Sequence, residues 1–447
     1  MLRRSLRPSL STSLSSVALF FCAILLSSRP VLAQFAQQGP KLVGSGAVGS
    51  ALQGFSVAVS ADGNTVIVGG TDDVPCCGGG GVGAAWIWTR SGGVWTQQGP
   101  KLVGSGAVGF PGQGSSVSVS ADGNTAIVGG PGDGITGAAW IWTRSGGVWT
   151  QQGSKLVGSG AVGFPDQGSS VSVSADGNTA IVGGFNDNGG AGAAWIWTRS
   201  GGVWTQQGSK LVGSGGVGLA QQGYSVSLSA DGNTAIVGGR NDNGYTGAAW
   251  IWTRSGAVWI QQGSKLVGSG GVGSTTQGSS VSVSADGNTA IVGGPNDNGF
   301  NGGAWIWTRS GGVWTQQGSK LVGSGAVGAA SQGSSVSVSA DGNMAIVGGL
   351  DDNGGAGAAW IWTRSGGVWT QQGSKLVGSG AVGAAHQGVS VSVSADGSTA
   401  IVGGYFDNGF TGAAWIFVPG ASIPALSEWM LFALAAMLAL VAIKARA

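Results

Sequence analysis

The residues able to do chemistry in this 447-residue chain are few, and most of them are aspartates set in repeated turns. His386 is the only histidine and Glu428 the only glutamate. A histidine triad, a His-rich metal site or a Glu/Asp acid–base pair therefore lacks its residue types in the body of the chain. The carboxylates recur in two settings: Ala-Asp-Gly-Asn, as at Asp122, and Asn-Asp-Asn-Gly with its relatives, at Asp187, Asp242, Asp297, Asp352 and Asp407. The second set could offer ligand or metal oxygens at one rim, and these five are the candidate rim residues. Turn chemistry explains them more simply, because Asp and Asn bond their own backbone and tolerate left-handed conformations. Ala-Asp-Gly-Asn has too few oxygens for the roughly six to eight ligands that Ca²⁺ takes. The expectation is no cofactor, with calcium the weaker reading.

Two further motifs carry chemistry elsewhere. Gly-Ser-Gly-(Ala/Gly)-Val-Gly, as at Gly104 to Gly109, has the G-x-G-x-x-G form of a dinucleotide loop seven times over. That loop needs a strand before it and a helix after it. Here another strand follows, so the motif reads as a crossover between repeats. Cys76 and Cys77 sit in an enlarged loop of the first repeat. A vicinal disulfide, two free thiols and an intermolecular bridge are all open.

The elements that position these residues are set by a repeat. Ser-Ala-Asp-Gly recurs with its aspartate at Asp62, Asp122, Asp176, Asp231, Asp286, Asp341 and Asp396, and Trp86, Trp140, Trp195, Trp250, Trp305, Trp360 and Trp415 keep the same beat. A period near 55 residues signals stacked or radial units. Ser116 to Ser120 alternates small and branched residues, the period of a strand. Asp122-Gly123 supplies a tight turn, Thr125 to Val128 a second strand, Ala138 to Thr143 a third and Val148 to Gln152 a fourth. Four short antiparallel strands per repeat make a propeller blade. The mature chain opens on an orphan fourth strand, Gln37 to Val43, and ends on an orphan third strand, Trp415 to Phe417. Pairing the two closes a seven-bladed, all-β propeller, whose blades stack Trp of one against Ser and Ala of the next.

Composition limits the partners. Between residues 34 and 420 there are 14 Lys/Arg against 17 Asp, a net of 14 − 17 = −3. That body has no basic footprint for nucleic acid. The overall charge of +2 comes from the ends. Arg3, Arg4 and Arg7 precede an apolar run from Val17 to Leu26 and a small-residue site ending at Ala33. This reads as a secretory signal over residues 1–33, cut between Ala33 and Gln34. The propeller occupies residues 34–420. A tail follows over 421–447, with an apolar helix from Trp429 to Ile443 ahead of Lys444 and Arg446. At about 1.5 Å per residue that helix falls short of a roughly 30 Å hydrocarbon core, and its cations favour the cytoplasmic side.

Two resemblances follow from these residues. Ile423-Pro424-Ala425-Leu426, with Trp429, the short helix and the basic end, resembles bacterial sorting signals of the Ile-Pro-Thr-Leu type. Ala425 stands in place of the Thr and Met430 in place of a Gly. The resemblance implies an exosortase-like processing enzyme as partner, with a transient or permanent membrane anchor. The run from Gln277 to Gly299 resembles the FG-GAP repeat, the blade unit of integrin-α-like propellers. It departs from that unit in having Gln before Gly114 and Gly168 where the repeat has Phe. What it implies is a non-enzymatic protein at the bacterial surface or outside the cell, contacting an extracellular protein or glycan through its variable loops. A lectin-like propeller with sugar sites between blades is the alternative.

Overall fold

The computed structural model describes residues 34–74 and 81–420. The expectations for the signal segment up to Ala33, for Cys76 and Cys77, and for the sorting tail with its helix lie outside the described residues. Among the described residues no helix is long and apolar enough to cross a membrane.

Twenty-eight strands form seven four-stranded sheets. The fourth blade shows why this sequence folds so. Its strands are Gln222–Leu228, Thr234–Gly239, Ala248–Ser255 and Val258–Gln261. Gly232, at φ +64°, supplies the left-handed residue that the first hairpin needs. The Asp231 carboxylate then holds that turn, accepting from Ser229 Oγ at 2.6 Å and from the Asn233 backbone N–H at 2.9 Å. Val237 pairs with Trp250 and Ala235 with Trp252, so both indoles fall on one face and Ile251 on the other.

Blades stack through that face. Trp250 and Trp252 pack with Ile181, Ala194 and Ile196 of the third blade. The expected partner surface of Ser and Ala is corrected to Ile and Ala. The inner-strand serines bridge backbones instead, Ser170 Oγ accepting from Val226 N–H at 2.9 Å and Ser172 Oγ from Leu228 N–H at 3.1 Å. Inner strands converge on the axis, where small hydroxyls fit and large rings do not.

The Gly-Ser-Gly crossover is explained by the same tryptophan. A Cβ on Gly213 would lie 2.1 Å from Trp250 Cδ1, so only glycine lets this segment cross the indole. Trp250 Nε1 donates to Ser214 O at 2.8 Å. Buried Gln222 clamps the segment from below, accepting from Gly213 N–H at 2.6 Å and donating to Gly213 O at 3.0 Å. The same glutamine clamp recurs in all seven blades. A second clamp ties the outer edges, where Arg254 Nη1 and Trp259 Nε1 both donate to Gln207 of the preceding blade.

The ring is closed. The N-terminal strand Phe35–Gln37 pairs with the last strand, Ala413–Pro419, completing the seventh sheet. On the face of the Asp-Gly turns, Ala61, Ala121, Ala175, Ala230, Ala285, Ala340 and Ala395 each donate a backbone N–H to the next alanine's carbonyl. Ala395 returns to Ala61 at 3.1 Å. Seven blades therefore share one circular hydrogen-bond track.

Candidate functional site

The rim aspartates stand in the loops between second and third strands, with their carboxylates turned inward. Asp187, Asp242, Asp297, Asp352 and Asp407 are buried. They pair with Lys210, Lys265, Lys320, Lys375 and Lys41 in turn. The other carboxylate oxygen of Asp242 accepts from Val217 N–H at 2.7 Å. Asn243 and Gly244 take left-handed φ of 50° and 63°, which turns the loop around the pair. Asp73 and Asp133 make the same pair with Lys101 and Lys155, so all seven blades use it. Both oxygens are engaged within the protein, and the pairs act as loop anchors.

What varies between repeats lies elsewhere. The seven blades are almost copies, so a position that differs among them is conspicuous. Before the buried Gln stand Leu52, Gly112, Asp166, Gln221, Thr276, Ser331 and His386, seven residue types in seven places. After the Gly-Gly pair stand Thr71, Pro131, Phe185, Arg240, Pro295, Leu350 and Tyr405. These positions bring residues of different blades to one opening. A cavity of ≈ 370 Å³ there is lined by Phe55 of the first blade, Tyr224 and Arg240 of the fourth, Ser279 of the fifth, Ser334 and Asp351 of the sixth and Val389 of the seventh. A space bounded by blades on both sides of the ring lies at the mouth of the central channel. Its volume falls in the range of small-molecule sites, about 300–1,000 Å³.

Two polar groups line this mouth. Arg240 donates from Nη1 to the Tyr224 hydroxyl at 2.7 Å and from Nε to Gln221 Oε1 at 3.1 Å. Its guanidinium lies 4.0 Å from the Tyr224 ring centroid, and Phe185 packs on Tyr224 at a tilt, with ring centroids 5.5 Å apart. Asp351 Oδ2 accepts from the Ser331 hydroxyl at 2.6 Å, while Oδ1 lies 3.7 Å from His386 Nδ1. His386 sits behind Asp351 against Tyr405 and Phe406. Burial pushes the His386 imidazole below its ordinary range, with the Asp351 charge opposing that, so the ring is neutral near pH 7. Burial, then the Asp351 charge, raises the Tyr405 phenol. Burial also raises Asp166, against a hydrogen bond from Asn186. A carboxylate beside a neutral imidazole can hold a water and take its proton, and a fixed guanidinium can receive developing negative charge. Among the described residues no group of His, Cys, Asp and Glu is placed to hold a metal.

Sequence reasoning missed Arg240, Asp351 and the role of His386. Their signal was present as departures from the repeat: Arg240 is the only arginine of the body outside the Thr-Arg-Ser position, and His386 has no histidine counterpart.

No protein-family model and no curated protein matches the chain. Solved structures resemble its fold. A Bacteroides fragilis protein, a 6-phosphogluconolactonase by assignment, matches at TM-score 0.50 and 12% identity, over 76% of this chain and 88% of its own. The periplasmic gluconolactonase of Pseudomonas aeruginosa matches at 0.49 and 16%, over 78% and 96%. U3-55K matches at 0.49 and 10%, over 87% and 99%. At such identities the likeness is one of fold. The expectation of a non-enzymatic adhesion or lectin-like module is nonetheless corrected. A propeller of similar fold is named a 6-phosphogluconolactonase, and Arg240, Asp351 and His386, none of them a repeated turn residue, lie at or beside one opening. This chain is a seven-bladed, all-β propeller of four-stranded antiparallel blades.

Proposed function

We propose that the chain is a hydrolase that opens a small polar cyclic ester, a lactone, at the mouth of its central channel. The observation that carries this reading is the placement of Arg240 and Asp351 in one cavity rich in hydroxyl groups. Asp351 takes a proton from a water, whose oxygen attacks the ester carbonyl carbon. The carbonyl oxygen becomes a transient oxyanion, which then re-forms the C=O bond. As the ring C–O bond breaks, the proton on Asp351 passes to the leaving ring oxygen, giving a hydroxy acid. His386, which does not line the cavity, is a positioning residue for Asp351. The name lactonase on a propeller of similar fold fits this chemistry. Acid release from a panel of γ- and δ-sugar lactones tests it. The purified chain should exceed the uncatalysed rate, and Asp351→Asn should lose about 10²-fold or more. A wild-type chain no faster than buffer on every lactone would overturn the reading.

We propose further that the propeller is an exported relative of the FG-GAP proteins, held at the inner membrane until an exosortase-like enzyme cuts near Pro424. The order of signal segment, repeat body, Ile-Pro-Ala-Leu, apolar run and Lys444/Arg446 supports this. Replacing Pro424 should trap an uncut, membrane-bound form in the native host. Mass spectrometry of surface material finding a C-terminus at Ala447 would count against it.

A further inference from the structure

Every other cation of the described body has a structural task. The seven lysines pair with the buried rim aspartates. The six repeated arginines each donate Nε to the Asn of an Asx turn, as Arg254 does to Asn233 at 2.9 Å, next to that turn's aspartate. Arg240 differs. Among the described residues it has no carboxylate partner, and its Nη2 makes no hydrogen bond. Its Nε and Nη1 are nevertheless fixed by Gln221 and Tyr224, and its guanidinium plane is backed by the Tyr224 ring. A guanidinium stays charged at any physiological pH. One held by neutral partners on a cavity wall, with a free N–H edge, is a preformed receptor for an oxyanion.

We infer that Arg240 is the seat of an anionic substituent of the ligand, a phosphate or a carboxylate, and that the mouth selects acidic small molecules. The inference rests on the same cavity as the hydrolase reading and makes it narrower. Asp351, which lines the same cavity, repels a second negative charge, so the ligand must carry its anion at one end and a polar, uncharged ring at the other. Ser279, Ser331 and Ser334 also line the cavity; their hydroxyls donate within the protein and keep lone pairs to accept from that ring's hydroxyl groups.

Calorimetric titration of the full chain with inorganic phosphate, and separately with acetate, tests this without requiring turnover. Wild type should bind at least one of the two, and a preference for phosphate or for acetate tells the sources apart. Arg240→Gln should weaken binding by about tenfold or more. Arg240→Lys should recover part of it, and Asp351→Asn should leave it equal or tighter, since a repelling charge is gone. Melting curves of each variant separate lost binding from lost folding. Should Arg240→Gln fail to fold, Arg240→Lys and Tyr224→Phe carry the test, and both must weaken phosphate measurably. Unchanged binding in the folded variants, or no binding of either anion by wild type, would overturn the inference. Arg240-dependent anion binding with no lactone turned over would remove the hydrolase reading and leave the anion site standing. Turnover that ignores Arg240→Gln would do the reverse.

Discussion

Lys41 Nζ lies 2.5 Å from Asp407 Oδ2, although 366 residues separate them. In the other six blades the same ion pair joins residues 22 to 28 apart. The two ends of the chain thus rebuild at the seam the contact that a single hairpin unit makes elsewhere. Leu42 and Ala414 add an antiparallel bridge there, and Gln37 Oε1 accepts from Ser379 N–H at 2.6 Å. The seam rebuilds these contacts but not the Arg–Trp stack of the other six outer edges, since Phe35 and Pro419 stand at those positions.

Lys41→Met should therefore strand a buried carboxylate and cost about 3–5 kcal/mol, as breaking one half of a buried pair does. Urea unfolding measures it. Deleting residues 34–43 goes further, exposing the Ala413–Pro419 strand as an edge prone to association. Scattering that shows a monomer with unaltered melting would rule out closure by the N-terminal strand.

Much of this architecture was legible because each blade is locally consistent. Asp231-Gly232 specifies its turn, and Trp250-Ile251-Trp252 specifies its two faces. The rim aspartates were harder to read, since sequence marks a carboxylate in a turn but not which way it faces. Burial of Asp242 against Lys265 depends on a segment 23 residues further on, beyond the blade's last two strands. The channel mouth was hardest. Asp351 and Arg240 are 111 positions apart, and only the circular closure of the blades sets them in one cavity.

Gln222 offers a second test. Gln222→Leu keeps the volume but leaves the buried Gly213 N–H and C=O without their partner, at about 1–3 kcal/mol. Gln222→Glu should be worse near pH 7, because its carboxylate cannot donate to Gly213 O. A Leu variant as stable as wild type in thermal unfolding would mean that the crossover is held by glycine packing on Trp250 alone.

Acid should attack the turns. Partial burial alone would raise the carboxylates of Asp62, Asp122, Asp176, Asp231, Asp286, Asp341 and Asp396. Hydrogen bonds from neighbouring Ser and Asn or Ser residues outweigh it and hold them below the usual range, with a nearby Arg assisting at the first six. A depressed folded value adds stability above the unfolded value near 3.9, lost as pH falls through the folded one. Melting temperature should thus fall below about pH 4. Asp231→Asn should flatten that fall slightly, and a variant whose acid profile overlays wild type would show the turn to be electrostatically silent.

His386 gives the prediction closest to function. Burial lowers its folded pKa, and the Asp351 charge only partly restores it. The neutral ring is therefore the stable form in the folded state. Its contribution to stability is complete above the unfolded value of about 6.5 and is lost as pH falls through the lower folded value. His386→Asn removes a titrating group there, so its stability should respond less to a fall in pH below about 6.5 than wild type does. If His386 positions Asp351, the same variant should lower kcat more than it raises KM and should alter the acid limb of the rate profile. Hydrolysis by His386→Asn with an unmoved acid limb and unmoved kcat would show that the imidazole merely fills space between Tyr405 and Phe406.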